Sequence, residues 1–184
     1  MRGLDGGELA GLGDLGDLGD LGDLSDLLID AAAHPEVADW FAVWDTILPR
    51  GVAGELREPL FASRFGTLFY ARPDGICFML DVFFGDVQEL APDIATLAEF
   101  VSNPAWQETY LLAASVRALA ATGIFARGTE CYAIAPHPAV GGPDPWAEEV
   151  LDPAAIMVLE GGPWQGLCVD FLRRARQSND TAGA

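Results

Sequence analysis

The sequence predicts an α+β fold, with helices packed on an antiparallel sheet and a low-complexity arm in front. Two observations carry that prediction. Residues 64–90 read as a β-meander, with apolar runs joined by tight turns. Around it lie segments with apolar residues at helical spacing, and a β-branched run, Ile156-Met157-Val158-Leu159, supplies a late strand. Runs of strands and helices in this order favour helices segregated onto an antiparallel sheet.

The chain divides at its compositional breaks. Residues 1–25 form an acidic arm in which Gly13-Asp14-Leu15 recurs as Gly16-Asp17-Leu18, Gly19-Asp20-Leu21 and Gly22-Asp23-Leu24. A period of three does not match 3.6, so its leucines would spiral around a helix instead of forming a stripe. Each internal glycine also costs a helix roughly 1 kcal/mol relative to alanine. The arm is therefore expected to be disordered, with ordering on a basic partner as its functional option. Residues 26–176 are expected to form one α+β domain, and 177–184 a flexible tail.

Within the domain, Leu27-Leu28-Ile29 and then Val37, Trp40, Phe41, Val43 and Trp44 suggest one or two amphipathic helices. Phe65 to Arg72 is the first strand of the meander, and Pro73-Asp74-Gly75 is its turn. There proline presets φ and glycine admits the left-handed conformation. Ile76 to Asp81 returns, and Gly85-Asp86 turns into Val87 to Leu90. A short helix follows over Asp93 to Val101, with Asp93 as its cap. Asn103-Pro104 starts a long helix running to Thr122, with Gly123 as its stop. Its few charges make it the expected central helix. Cys131 to Ala135 reads as a strand and Pro136 to Pro143 as a shaped loop. Gly161-Gly162-Pro163 breaks the late strand, and Trp164 to Arg176 forms the last helix. Arg173, Arg174 and Arg176 fall in its final turn, where cations suit the dipole.

Charge and composition narrow the function. Among 184 residues there are 28 acidic and 10 basic, giving a net charge of −18, and every basic residue is Arg. Such acidity disfavours nucleic acid and anionic membrane, because the phosphate-neutralising contribution is missing. It favours a basic partner or solubility. The three cysteines, Cys77, Cys131 and Cys168, are scattered among apolar residues with no CxxC pair, so they read as reduced core packing. The N-terminus lacks a signal pattern, and no apolar run approaches the ~20 residues of a membrane span. Cytoplasmic placement is the expectation.

Catalytic chemistry finds little support. A nucleophile triad needs Ser or Cys beside His, and only His34 and His137 exist. HExxH and EF-hand patterns are absent, and the Gly-Gly pairs lack a phosphate-binding framework. The expectation is a protein that is not an enzyme and needs no cofactor or metal.

A family pattern lies in Phe65-Gly66-Thr67-Leu68-Phe69, Leu80-Asp81 with Gly85, Tyr110-Leu111-Leu112, Gly123, Cys131-Tyr132, the Pro136-to-Gly142 loop and Gln165. Over roughly residues 60–172 the chain resembles the C-terminal domain of bacterial immunity proteins against type VI secretion DNase effectors, often paired with a GAD-like N-terminal domain. Thr67 stands where an acid is usual in that family, and Trp164 where a glycine is usual. The resemblance implies a non-catalytic protein that neutralises a cognate, possibly nuclease, toxin by binding it. An acidic inhibitor would gain on-rate by steering toward a basic groove. The candidate partner-binding residues are His137, Val140, Gly141, Gly142, Asp144, Trp146, Glu148, Glu149 and Gln165. Trp146 carries two readings, an exposed hot spot or a ring packing its loop onto the core. The rival function is a small-ligand-binding protein or enzyme with a pocket near His137, using Cys131 or an acid. A third is a scaffolding module that works through the arm.

Overall fold

A computed structural model of the protein describes residues 24–148 and 150–182. The Gly-Asp-Leu run up to Asp23, the last two residues of the expected tail and Glu149 lie outside the described residues. The element order is β1 (Leu28–Asp30), α1 (Glu36–Trp44), β2 (Glu58–Ser63), β3 (Leu68–Ala71), β4 (Cys77–Leu80), β5 (Val87–Ala91), α2 (Ile94–Val101), α3 (Pro104–Tyr110), α4 (Ala113–Ala121), β6 (Glu130–Ile134), β7 (Ile156–Glu160) and α5 (Gly161–Ala182). Strands β1 to β5 form an antiparallel sheet in sequence order, and β6 and β7 pair antiparallel in a second sheet. The fold is α+β, as the meander and the helices around it predict.

Successive residues of a strand face opposite sides, and β3 exploits both. Tyr70 meets Phe41 of α1 edge-on at 5.4 Å on one face. Phe69 stacks on Phe61 at 4.5 Å and meets Trp106 of α3 at 5.8 Å on the other. The register Phe61–Phe69–Met79–Gln88 therefore forms one row running toward β5 under α3. Trp40 and Trp44, one turn apart on α1, are both buried in the core.

Three expectations needed correction. Leu28 to Asp30 is not helical but a strand, paired with Phe61 to Ser63 of β2. So short an apolar run has no periodicity to separate helix from strand. Second, the expected central helix is two helices. Leu112 takes φ 54°, a left-handed conformation rare for a residue with a branched side chain. The break buries Leu111 and Leu112 together, while α3 has no fully buried residue. Glu108 stabilises the new start by accepting from the Ala114 amide at 2.8 Å and pairing with Arg117. Third, Gly161-Gly162-Pro163 does not end β7 by a loop but forms the first turn of α5, where a missing proline N–H is harmless. A Cβ on Gly161 would lie 2.2 Å from the Trp40 ring, so glycine permits the close approach. Because α5 continues to Ala182, Arg173, Arg174 and Arg176 lie before its last turn and gain nothing from the helix C-terminus.

The C-terminal helix thus takes the central role. Gln165 is fully buried, donates to the Gly66 carbonyl at 2.7 Å and accepts from the Trp44 indole at 2.6 Å. Trp164 donates to the Phe65 carbonyl at 2.8 Å. Gly66, at φ 93°, leaves no room for a Cβ, which would lie 2.8 Å from Trp164. A glycine turn, the α1 tryptophan and α5 are locked by one amide. Buried Arg64 makes a second clasp through backbone carbonyls, to Ser25 at 2.6 Å and Gly128 at 2.8 Å. Among the described residues, no helix is long and apolar enough to cross a membrane.

Candidate functional site

The loop between β6 and β7 carries most of the predicted site residues, and it splits them. Its first part turns inward. His137 is 1% exposed, with Phe171 stacked at 5.2 Å, Trp164 at 5.6 Å and Phe83 at 6.2 Å. Its Nδ1 accepts from the Ala139 amide at 3.1 Å, and its carbonyl accepts from Val140 at 2.9 Å and Gly142 at 3.1 Å. Burial pushes the His137 pKa down to about 4, opposed in part by the backbone of Val82. Gly141 sits at φ 92°. A Cβ on Gly142 would overlap the Pro136 carbonyl oxygen at 1.7 Å. His137 and Gln165 are therefore not contact residues in this conformation. They are interior polar groups whose hydrogen bonds shape the loop and lock the helices. Gly142 is likewise a packing requirement. Val140, by contrast, is 47% exposed at the crest of the turn.

The second part of the loop turns outward. Asp144 and Glu148 are exposed, and the Asp144 carboxylate accepts from the Trp146 amide at 2.9 Å, closing a short turn. Trp146 is half-buried. Its indole meets Phe83 edge-on at 5.9 Å and donates to Asp81 Oδ2 at 2.9 Å. The contacts match the reading in which Trp146 packs its loop onto the core. The ring packs its loop onto the core and also lines two adjoining cavities.

The larger cavity, about 320 Å³, is lined by Met79, Asp81, Asp86, Gln88, Thr109, Tyr110 and Trp146. The smaller, about 180 Å³, lies between Glu108, Leu112, Ser115, Pro145, Trp146 and Glu148. Met79 and Gln88 are the continuation of the aromatic row under α3, where that helix ends. Tyr110, stacked on Trp106 at 4.9 Å, closes the wall. The helix break thus opens the groove: α3 stops at Tyr110, and the chain turns away through Leu112.

Asp81 gives the groove its charge and its rigidity. It is 6% exposed, and Oδ1 accepts from the Phe83 amide at 2.8 Å while Oδ2 accepts from Trp146. Burial pushes its pKa above the usual carboxylate range. The Phe83 and Trp146 hydrogen bonds pull it back, and the Asp86 charge pushes it up. Asp86 is exposed, and among the described residues its carboxylate has no ion pair or hydrogen bond.

Sequence reasoning points to the loop and not to the opposite wall of the groove. Met79, Asp81, Asp86, Gln88 and Tyr110 are not among the candidate site residues of the sequence. One signal was present: Asp81 interrupts the apolar run Phe78 to Phe84, where an acid must be either solvated or specifically bonded.

The reagents of the rival reading are poorly placed. The Cys131 thiol is fully buried and pushed up to about 12 by that burial, and Cys168 is likewise raised by burial. All three cysteines are free and buried. Among the described residues, no group of three or more His, Cys, Asp and Glu is arranged to hold a metal.

No family model matches the chain, and no curated protein matches it.

Proposed function

We propose that the protein acts by stoichiometric binding of a basic protein partner, in the manner of an immunity protein that masks a toxin. The observation that carries this reading is the acidic, partly aromatic groove around Trp146 on a chain of net charge −18. Asp81 and Asp86 lie in the groove, with Asp144 and Glu148 on the loop beside it. A field of one sign around a concave surface steers an oppositely charged protein and sets its register. Trp146 adds a rigid ring of the kind that anchors interfaces. The enclosed His137 and the weakly acidic, buried Cys131 speak against the rival with a reactive centre at His137.

The test is a pull-down of the tagged protein from its native host at ~0.15 M and ~0.5 M salt, the second well beyond physiological screening. Capture of one basic partner at the lower salt, with loss at the higher, is the expected result. Absence of a partner at both would overturn the reading.

A further inference from the structure

We propose that the Trp146 groove seats a single arginine side chain presented by the partner protein. This rests on the binding reading above and gives it a chemical anchor. Size comes first. At about 320 Å³ the groove lies at the lower end of the ~300–1,000 Å³ spanned by small-molecule sites, which suits one long side chain.

The walls define the chemistry. Tyr110 and Trp146 supply aromatic surface, Met79 supplies apolar surface, and Asp81 and Asp86 put negative charge in the same cavity. A cation beside aromatic rings is held by the ring quadrupole, and a planar guanidinium also stacks and donates in a fixed fork. Asp86 is the open acceptor. Asp81 is held in place by Phe83 and Trp146, with the Phe84 backbone N–H a further donor toward it. Packing has already fixed that carboxylate, so it acts on a cation in the groove from a set position. Arg117, a nearby cation of this chain, is engaged by Glu108.

The backbone supplies a separate argument. Leu112, two residues beyond the end of α3, holds a left-handed conformation and lines the smaller cavity. Strain of this sort, worth about 1–3 kcal/mol, concentrates at ligand clamps. Here it ends α3 at Tyr110 and leaves the groove open.

The probe is N-acetyl-arginine amide, titrated into the full-length protein while the Trp146 indole N–H resonance is followed. Trp146→Phe assigns that resonance. A saturable shift is expected, with N-acetyl-citrulline amide, the neutral isostere, binding at least about fivefold more weakly. Asp86→Asn, a change at an exposed position, should weaken the arginine probe by about fivefold as well. No saturable shift, or equal binding of the citrulline probe, would overturn the proposal. The two readings separate cleanly in the pull-down. A partner captured equally well by wild type, Asp86→Asn and Tyr110→Leu would overturn the arginine seat and leave partner binding standing. A saturable arginine shift without any captured partner would overturn the partner reading and, with it, the claim that the seated arginine belongs to a partner.

Discussion

His137 and Trp146 stand on one loop, and each ring has its nitrogen chemistry decided by its surroundings. His137 is enclosed by Phe83, Trp164 and Phe171, and burial holds it neutral. Trp146 shares Phe83 with it, but its indole N–H reaches a carboxylate and its ring lines open cavities. Phe83 is the wall between the closed side and the open one. The contrast teaches that the polar residue most suggestive of chemistry in the sequence is the one used for packing. The exposed part of the loop lies where the chain turns back out. The inner part of the loop fixes the outer part in space.

Substitutions that break the closed side should cost most. Gly142→Ala places a methyl group on the Pro136 carbonyl, and the overlap is too deep for small shifts. A loss of about 3 kcal/mol or more is expected in urea denaturation, with the loop displaced. Next comes Gln165→Leu, which strands the Trp44 indole N–H and the Gly66 carbonyl inside the core. Each stranded group costs about 1–3 kcal/mol, so the melting midpoint should fall markedly while the net charge is unchanged.

A third test separates the two sides by pH. The folded pKa of His137, about 4, lies below its unfolded value of about 6.5. The unfolded chain therefore binds the proton more readily between those values. The His137 contribution is fully present above pH ~6.5 and is lost as pH falls toward about 4. Asp81 has the opposite sign: its raised pKa favours the protonated folded state, so it gains stability as pH falls through that raised value. In His137→Phe, stability measured by denaturant at each pH should decline less steeply between pH ~6.5 and ~4 than in wild type. Parallel curves would show that His137 does not titrate differently on folding.

The smallest effect belongs to the open side. Trp146→Ala removes a half-buried ring and the Asp81 hydrogen bond, for an expected loss of about 1–2 kcal/mol. Partner capture should fall by more than this stability change explains. A thermal shift as large as that of Gln165→Leu would instead make Trp146 part of the closed side.

Local rules made the meander, the Asp93 cap, α1 and the late strand legible. Asp93 accepts from Thr96 at 2.7 Å, as its place before an apolar run implies. The break at Leu112 was not legible, because the run from Ala105 to Thr122 is rich in good helix formers and only tertiary burial of two adjacent leucines favours the interruption. The Gly161-Gly162 start of α5 was hidden for a related reason: those residues read as breakers, and only the approach of Trp40 explains them. For the site, sequence adjacency revealed the loop, since its residues are neighbours in the chain. The opposite wall comes from β4, β5 and the end of α3, and such convergence exists only in three dimensions.

The amide of Gln165 has a consequence for synthesis. It joins Trp44 to a residue 121 positions later, so the order of translation separates the two partners in time. At ~5–20 residues per second, α1 emerges roughly 6 to 24 s before the side chain that satisfies its indole. The sheet must wait with it, its Phe65-Gly66 turn uncovered until Trp164 is made. Nascent chains stalled before Trp164 should accordingly remain open to protease, and chains stalled well past Ala182 should resist it.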